Sequence, residues 1–138
     1  MSHPDGLPDL FLDRSLGRKV VPDLLRAEGL RLVTLAEHYG IPADEAVADE
    51  EWLEMAGRSG WAVLMKDARI RYNRAEREAV KRHSVRCFCL TRQDLTGPDM
   101  AARFIANLEG ITRACADPGP FIYAVHKDRI ERLAIGDA

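Results

Sequence analysis

The stretch Gly60-Trp61-Ala62-Val63-Leu64-Met65-Lys66-Asp67 decides the fold. Its apolar run shows no alternation with polar residues. It therefore reads as a strand covered on both faces, as a central strand of a parallel sheet must be. Gly60 stops the helix before it, and an acid closes it. Leu10-Phe11-Leu12 has the same character and the same ending, Asp13. Two flat apolar strands that each finish on an aspartate place both carboxylates at one edge of a parallel sheet. A third acid, Asp49, opens the helical stretch Glu50 to Arg58 that leads into the Gly60–Asp67 segment. Ligands of open α/β sheets bind beyond the carboxyl ends of the strands, so these acids are the candidate site. Three carboxylates with few polar neighbours suit a hard divalent cation such as Mg2+, which points to phosphodiester chemistry.

Working outward, strands and helices alternate. A helix is predicted from about Lys19 to Glu28, with Val20, Val21, Leu24 and Leu25 on one side, Pro22 in the first turn and Gly29 as the stop. Leu30–Leu35 reads as a strand and Ala36 to Ala48 as a loop with at most a helical turn. Asp49 is expected to cap the next helix, which carries Trp52, Leu53, Met55 and Ala56. Asn73-Arg74-Ala75-Glu76 resembles a capping box opening a charged helix to about His83. Val85–Leu90 is a further strand. Thr96-Gly97-Pro98 starts a helix whose apolar stripe runs from Met100 through Phe104, Ile105, Leu108 and Ile111 to Cys115. Phe121–Val125 is a fifth strand, and Arg129–Ile135 is predicted to add a short terminal one. This order favours a parallel sheet flanked by helices.

Composition narrows the class. With 138 residues and 46% hydrophobic content, the chain reads as one domain, 1–138, with its core at about 9–134. It has no apolar run long enough to span a bilayer. Its first residues lack the features of a signal peptide, so a cytoplasmic protein is expected. Cys87, Cys89 and Cys115 show no metal-ligand spacing and read as buried hydrophobes. His38, His83 and His126 show none either. The net charge of −2 carries no general nucleic-acid signal. Sixteen arginines against four lysines fit either phosphate recognition or a compositional bias.

Phe11-Leu12-Asp13-Arg14, then Asp49-Glu50-Glu51-Trp52-Leu53, then Gly60 to Asp67 resemble the PIN-domain ribonucleases, and more narrowly the compact PIN-like branch that includes VapC-type toxins. Gly119-Pro120-Phe121-Ile122-Tyr123-Ala124-Val125 suits the same branch, and the resemblance runs from about Asp9 to Ala134. It implies a PIN-like three-layer α/β fold with a central, mostly parallel sheet flanked by helices. The implied activity is a Mg2+- or Mn2+-dependent endoribonuclease, the toxin of a type II toxin–antitoxin pair, leaving 5′-phosphate and 3′-hydroxyl ends. The implied partners are a VapB-type antitoxin and an RNA substrate, in a homodimer or a toxin–antitoxin hetero-oligomer. Residue by residue, Asp13 and Asp67 match the acids ending the two strands, and Asp49 the acid opening the intervening helix. Glu50 competes with Asp49 for that place. The fourth acid of many PIN sites has no motif here, although Asp94 and Asp128 follow later strands.

Arg14, Lys66, Arg69 and Arg71 surround the acids in sequence and are candidates for RNA phosphates, against an ordinary solvated surface. Tyr72 could stack on a base or simply pack. A phospho-receiver domain is the rival class: Asp13, Asp67 as phosphoacceptor, Thr91 and Lys127 imitate its series. A housekeeping PIN-like RNA-processing nuclease and a degenerate PIN fold that only binds are also open.

Overall fold

The computed structural model describes residues 2–135, with the side chains of Ala68 and Arg69 outside the described set. Six strands form one sheet: β1 (Leu10–Leu12), β2 (Leu32–Thr34), β3 (Ala62–Met65), β4 (Arg86–Leu90), β5 (Phe121–Val125) and β6 (Ile130–Leu133). Their order is β2-β1-β3-β4-β5-β6, parallel throughout except for the antiparallel β6. The helices are α1 (Val20–Ala27), α2 (Leu35–Tyr39), α3 (Asp49–Ser59), α4 (Arg74–Arg82), α5 (Gly97–Ala106) and α6 (Leu108–Ala114).

Every residue of β1 and β3 is buried, as their unbroken apolar runs require. Alternate residues feed two cores. Leu10, Leu12, Leu64, Phe88 and Phe121 pack with α1, α5 and α6 on one face. Phe11, Val63, Cys87, Cys89 and Ile122 pack with α3 and α4 on the other. The result is three layers, helices–sheet–helices. The sheet reverses its order between β1 and β3, so the crevice beyond their carboxyl ends is the switch point where ligands collect.

Local chemistry differs from the sequence expectations at three places. Leu35 starts a helix rather than ending a strand, because Thr34 and Glu37 form a reciprocal capping box. The loop after it holds a 3-10 turn at Ala43–Ala46, in keeping with the short helical turn expected there. Asp49 does not cap α3: Ala48 holds that position without a side-chain bond, and Asp49 is the first helical residue. The Met100–Cys115 stripe is broken into α5 and α6 at buried Asn107, whose Nδ2 donates to the carbonyls of Arg103 (2.8 Å) and His126 (2.9 Å).

The pairing of α3 with α4 positions the site. A Cβ added at Gly57 would lie 2.4 Å from the His83 carbonyl oxygen, so only glycine allows this approach. Gly57 and His83 sit near the C-terminal ends of their helices. Glu50 and Ala75, from the two first turns, also line one groove. The helices therefore run side by side in the same sense, and their acidic first turns meet at the carboxyl edge of the sheet.

Candidate functional site

Asp13, Asp49 and Asp67 line one open cleft of about 370 Å3, together with Ser15, Met65, Ile70, Asn73 and Glu76. Three of the sequence-derived acids are thus brought together. Glu50 is not: it is exposed and lines the neighbouring α3–α4 groove with Glu54 and Glu78. Asp94 is taken up in an exposed ion pair with Arg92 at 2.6 Å. Neither it nor Asp128 lines the cleft.

Asp13 continues β1 into a 3-10 turn at Arg14–Leu16 and caps it, its Oδ1 accepting the Ser15 backbone N–H at 3.1 Å. The Ser15 hydroxyl donates to the same Oδ1 and accepts the Lys66 backbone N–H at 3.0 Å. One serine therefore ties the end of β1 to the end of β3. Burial is the main reason the Asp13 carboxyl is pushed up to about 6; the charge of Asp49 adds to this, while the Ser15 bonds and Arg14 oppose it.

Asp49 is oriented from two sides. Trp52, buried one turn on, donates its indole N–H to Asp49 Oδ1 at 2.9 Å, and Arg14 Nη1 donates to the same oxygen at 3.4 Å. Arg14 Nη2 also reaches the carbonyls of Asp44 (3.0 Å) and Val47 (2.8 Å). Of the proposed phosphate contacts, Arg14 is thus engaged in fastening the segment that leads into α3. Arg18 reinforces it through buried Asp44 at 2.8 Å. Lys66 contributes its backbone to the Ser15 bridge. Arg71 stacks over the exposed Tyr72 ring at 4.5 Å. The Arg69 side chain lies outside the described residues.

Glu76 is the acid that sequence reasoning missed. Asn73 Oδ1 accepts the Glu76 backbone N–H at 3.0 Å, as half of a capping box would. The Glu76 side chain joins the cleft instead of returning to Asn73. Burial, a hydrogen bond shared with the Asp49 carboxyl, and the charges of Asp49, Glu50 and Asp13 push it up to about 8. The Asn-x-x-Glu spacing gave no signal, since a capping box accounts for it completely. Ser15 had a readable one, because Asp-x-Ser after a strand favours a side-chain-closed turn.

The model of a family described as "PIN like domain" matches residues 8–92, more than half of the chain. The chain belongs to the PIN-like domain family. It is 46% identical over 127 residues, 92% of this chain and 92% of the relative, to the Mycobacterium tuberculosis H37Rv protein named "Putative ribonuclease VapC45". No solved structure matches it significantly. The matched segment of the PIN-like domain holds Asp13, Asp49, Asp67 and Glu76. No helix among its described residues is long and apolar enough to cross a membrane.

The receiver-type series does not assemble in this PIN-like domain. Thr91 does not line the acidic cleft, and Lys127 lines a separate groove with Arg92 and Arg103.

The donor chemistry of the cleft fits a hard divalent cation. Its polar side chains are oxygen-bearing, four of them carboxylic acids, and two of those acids resist ionisation because burial and like charge make their anions costly. A cation would offset both penalties. Among the described residues no three acids stand close enough to form a ready-made cage, so the donors are arranged around an open cleft and not clamped in advance.

Proposed function

We propose that this chain is a Mg2+- or Mn2+-dependent endoribonuclease, the toxin component of a type II toxin–antitoxin pair acting in the cytoplasm. One observation carries the reading. A chain 46% identical over 92% of its length to a relative named as a ribonuclease gathers Asp13, Asp49, Asp67 and Glu76 in one cleft at the carboxyl edge of its sheet.

Asp13, Asp49 and Asp67 would hold the ion, with Glu76 as the fourth carboxyl group. When bound, the ion would lower the pKa of a water and offset charge on the phosphoryl oxygens. The rest is done by the chain. Ser15 fixes the Asp13 carboxylate, while Trp52 and Arg14 fix that of Asp49. Met65 and Ile70 give the cleft an apolar floor that strengthens its electrostatics. In the reaction, water oxygen bonds to phosphorus, the P–O3′ bond breaks, and the 3′ oxygen takes up a proton. The products carry 5′-phosphate and 3′-hydroxyl ends, with no covalent enzyme intermediate.

A ribonuclease of this kind needs restraint in its own cell. A VapB-type antitoxin segment lying across the cleft, with an Arg paired to the carboxylates, would block it sterically and electrostatically. The test is expression of the chain alone and beside the product of an adjacent small gene. Growth arrest relieved by co-expression, with co-purification of the pair, is expected. Harmless expression of folded protein, with no associating neighbour product, would replace the toxin by a housekeeping RNA-processing nuclease.

A further inference from the structure

Beyond the acids, the 3-10 turn Ala68–Tyr72 and the helix α4 behind it carry two arginines that the cleft does not use. Arg77 is only 9% exposed, yet no carboxylate lies within ion-pair distance of it among the described residues. Its Nη1 reaches only the Arg71 carbonyl, at a long 3.4 Å. The Nε atoms of both Arg71 and Arg77 are buried without a hydrogen-bond partner. An arginine presents five N–H donors, and leaving such groups buried and unmatched is costly. Two arginines joined through the Arg71 carbonyl, each with an orphaned buried Nε, call for an anion. Arg71 is within electrostatic reach of Glu131, but His126 already holds that carboxylate at 2.9 Å.

Tyr72 supplies the second observation. The residue is 68% exposed, and Arg71 stacks over its ring at 4.5 Å. An exposed aromatic ring backed by a guanidinium is the platform on which single-stranded nucleic acids stack a base. The turn starts directly after Asp67, so this platform adjoins the acidic cleft.

We propose that Arg71, Tyr72 and Arg77 form a nucleotide subsite beside the cleft, the two guanidinium groups meeting an RNA backbone phosphate and the Tyr72 ring stacking its base. The subsite rests on the ribonuclease reading and specifies how the strand is held next to the cleaved bond. Phosphate would be met by the Nη atoms, its charge compensating the half-buried Arg71 and the buried Arg77. Stacking tolerates any base, so the subsite adds affinity without sequence preference.

The test uses the full chain in an Asp13→Asn background, with a fluorescein-labelled single-stranded RNA of about 12 nucleotides, followed by anisotropy across a salt series. Tyr72→Ala should weaken binding roughly five-fold or more. Arg71→Gln should lower the salt slope by about 1. Arg77→Gln should weaken binding as well. Because Arg77 is buried and its variant could unfold, Tyr72→Ala and Arg71→Gln decide the outcome, with thermal melting run alongside. Parent-like affinity and salt slope in both variants would overturn the subsite. KM for RNA cleavage by the same variants without Asp13→Asn separates the two readings. Cleavage with unchanged KM removes the subsite and leaves the nuclease standing. RNA binding through these residues without any cleavage keeps the subsite and removes the nuclease. Failure of the Asp13→Asn parent to bind RNA overturns the subsite.

Discussion

The hydroxyl of Ser15 donates to Asp13 Oδ1 while it accepts the Lys66 backbone N–H at 3.0 Å, so a single side chain holds the carboxyl end of β1 against that of β3. Ser15→Ala removes both bonds and leaves a half-buried N–H unmatched. We expect a stability loss of about 1–3 kcal/mol and a fall in RNA-cleavage rate larger than any rise in KM. Ser15→Thr keeps the hydroxyl and should restore most of the rate. Urea denaturation and steady-state kinetics check this, and an Ala variant with wild-type kcat would remove the serine from the mechanism.

Trp52 anchors Asp49 through its indole N–H at 2.9 Å while its ring fills the core. Trp52→Phe retains most of the packing and loses the donor. The expected cost is about 1–2 kcal/mol, with a higher Mg2+ concentration needed for half-maximal cleavage. A metal titration of activity reads this directly.

Gly57 permits the α3–α4 approach that brings Asp49 to Glu76. Gly57→Ala puts a methyl 2.4 Å from the His83 carbonyl oxygen, which cannot yield as a flexible side chain would. Destabilisation of about 1–3 kcal/mol is expected. A loss of cleavage under conditions where the variant is still folded should accompany it. Circular dichroism melting paired with cleavage assays separates the two effects.

The raised carboxyl groups give the metal-free protein a definite pH dependence. Asp13 moves from an ordinary value of 3.8 to about 6, and Glu76 from 4.5 to about 8. Between those limits the folded state binds more protons than the unfolded chain, so stability falls as pH rises. The Asp13 contribution is lost between pH 4 and 6, on the order of 2–3 kcal/mol, and that of Glu76 continues to about pH 8. Metal-free protein should therefore melt higher at about pH 5.5 than at about pH 8.5. Mg2+ should raise the melting temperature more at the higher pH, where the carboxylates are charged. Glu76→Gln should flatten the upper part of this profile and lower activity together. A metal-free melting temperature that climbs across the same range would contradict the carboxylate crowding.

The strands carrying Asp13 and Asp67 were legible because an unbroken apolar run ending on an acid has few other readings. Asp49 was legible as a candidate acid of the site, but the cap expected of it falls to Ala48, and its bonds to Trp52 and Arg14 depend on how α3 sits against the rest. Glu76 was hidden, since local chemistry explained it already and only the packing of α3 on α4 sends its carboxyl to the cleft. The break at Asn107 was hidden for a similar reason. It is held by the His126 carbonyl, nineteen residues away, which no local pattern can show.

The most direct test of the central claim is RNA cleavage by chain stripped with EDTA, then re-supplied with Mg2+ or Mn2+, in wild type and in Asp13→Asn and Asp67→Asn. No cleavage is expected in EDTA, with recovery on adding either ion. No recovery is expected in the two variants, which should stay folded and be at least as stable because carboxylate repulsion is relieved. Cleavage that persists in EDTA, or that survives either substitution, would contradict the claim.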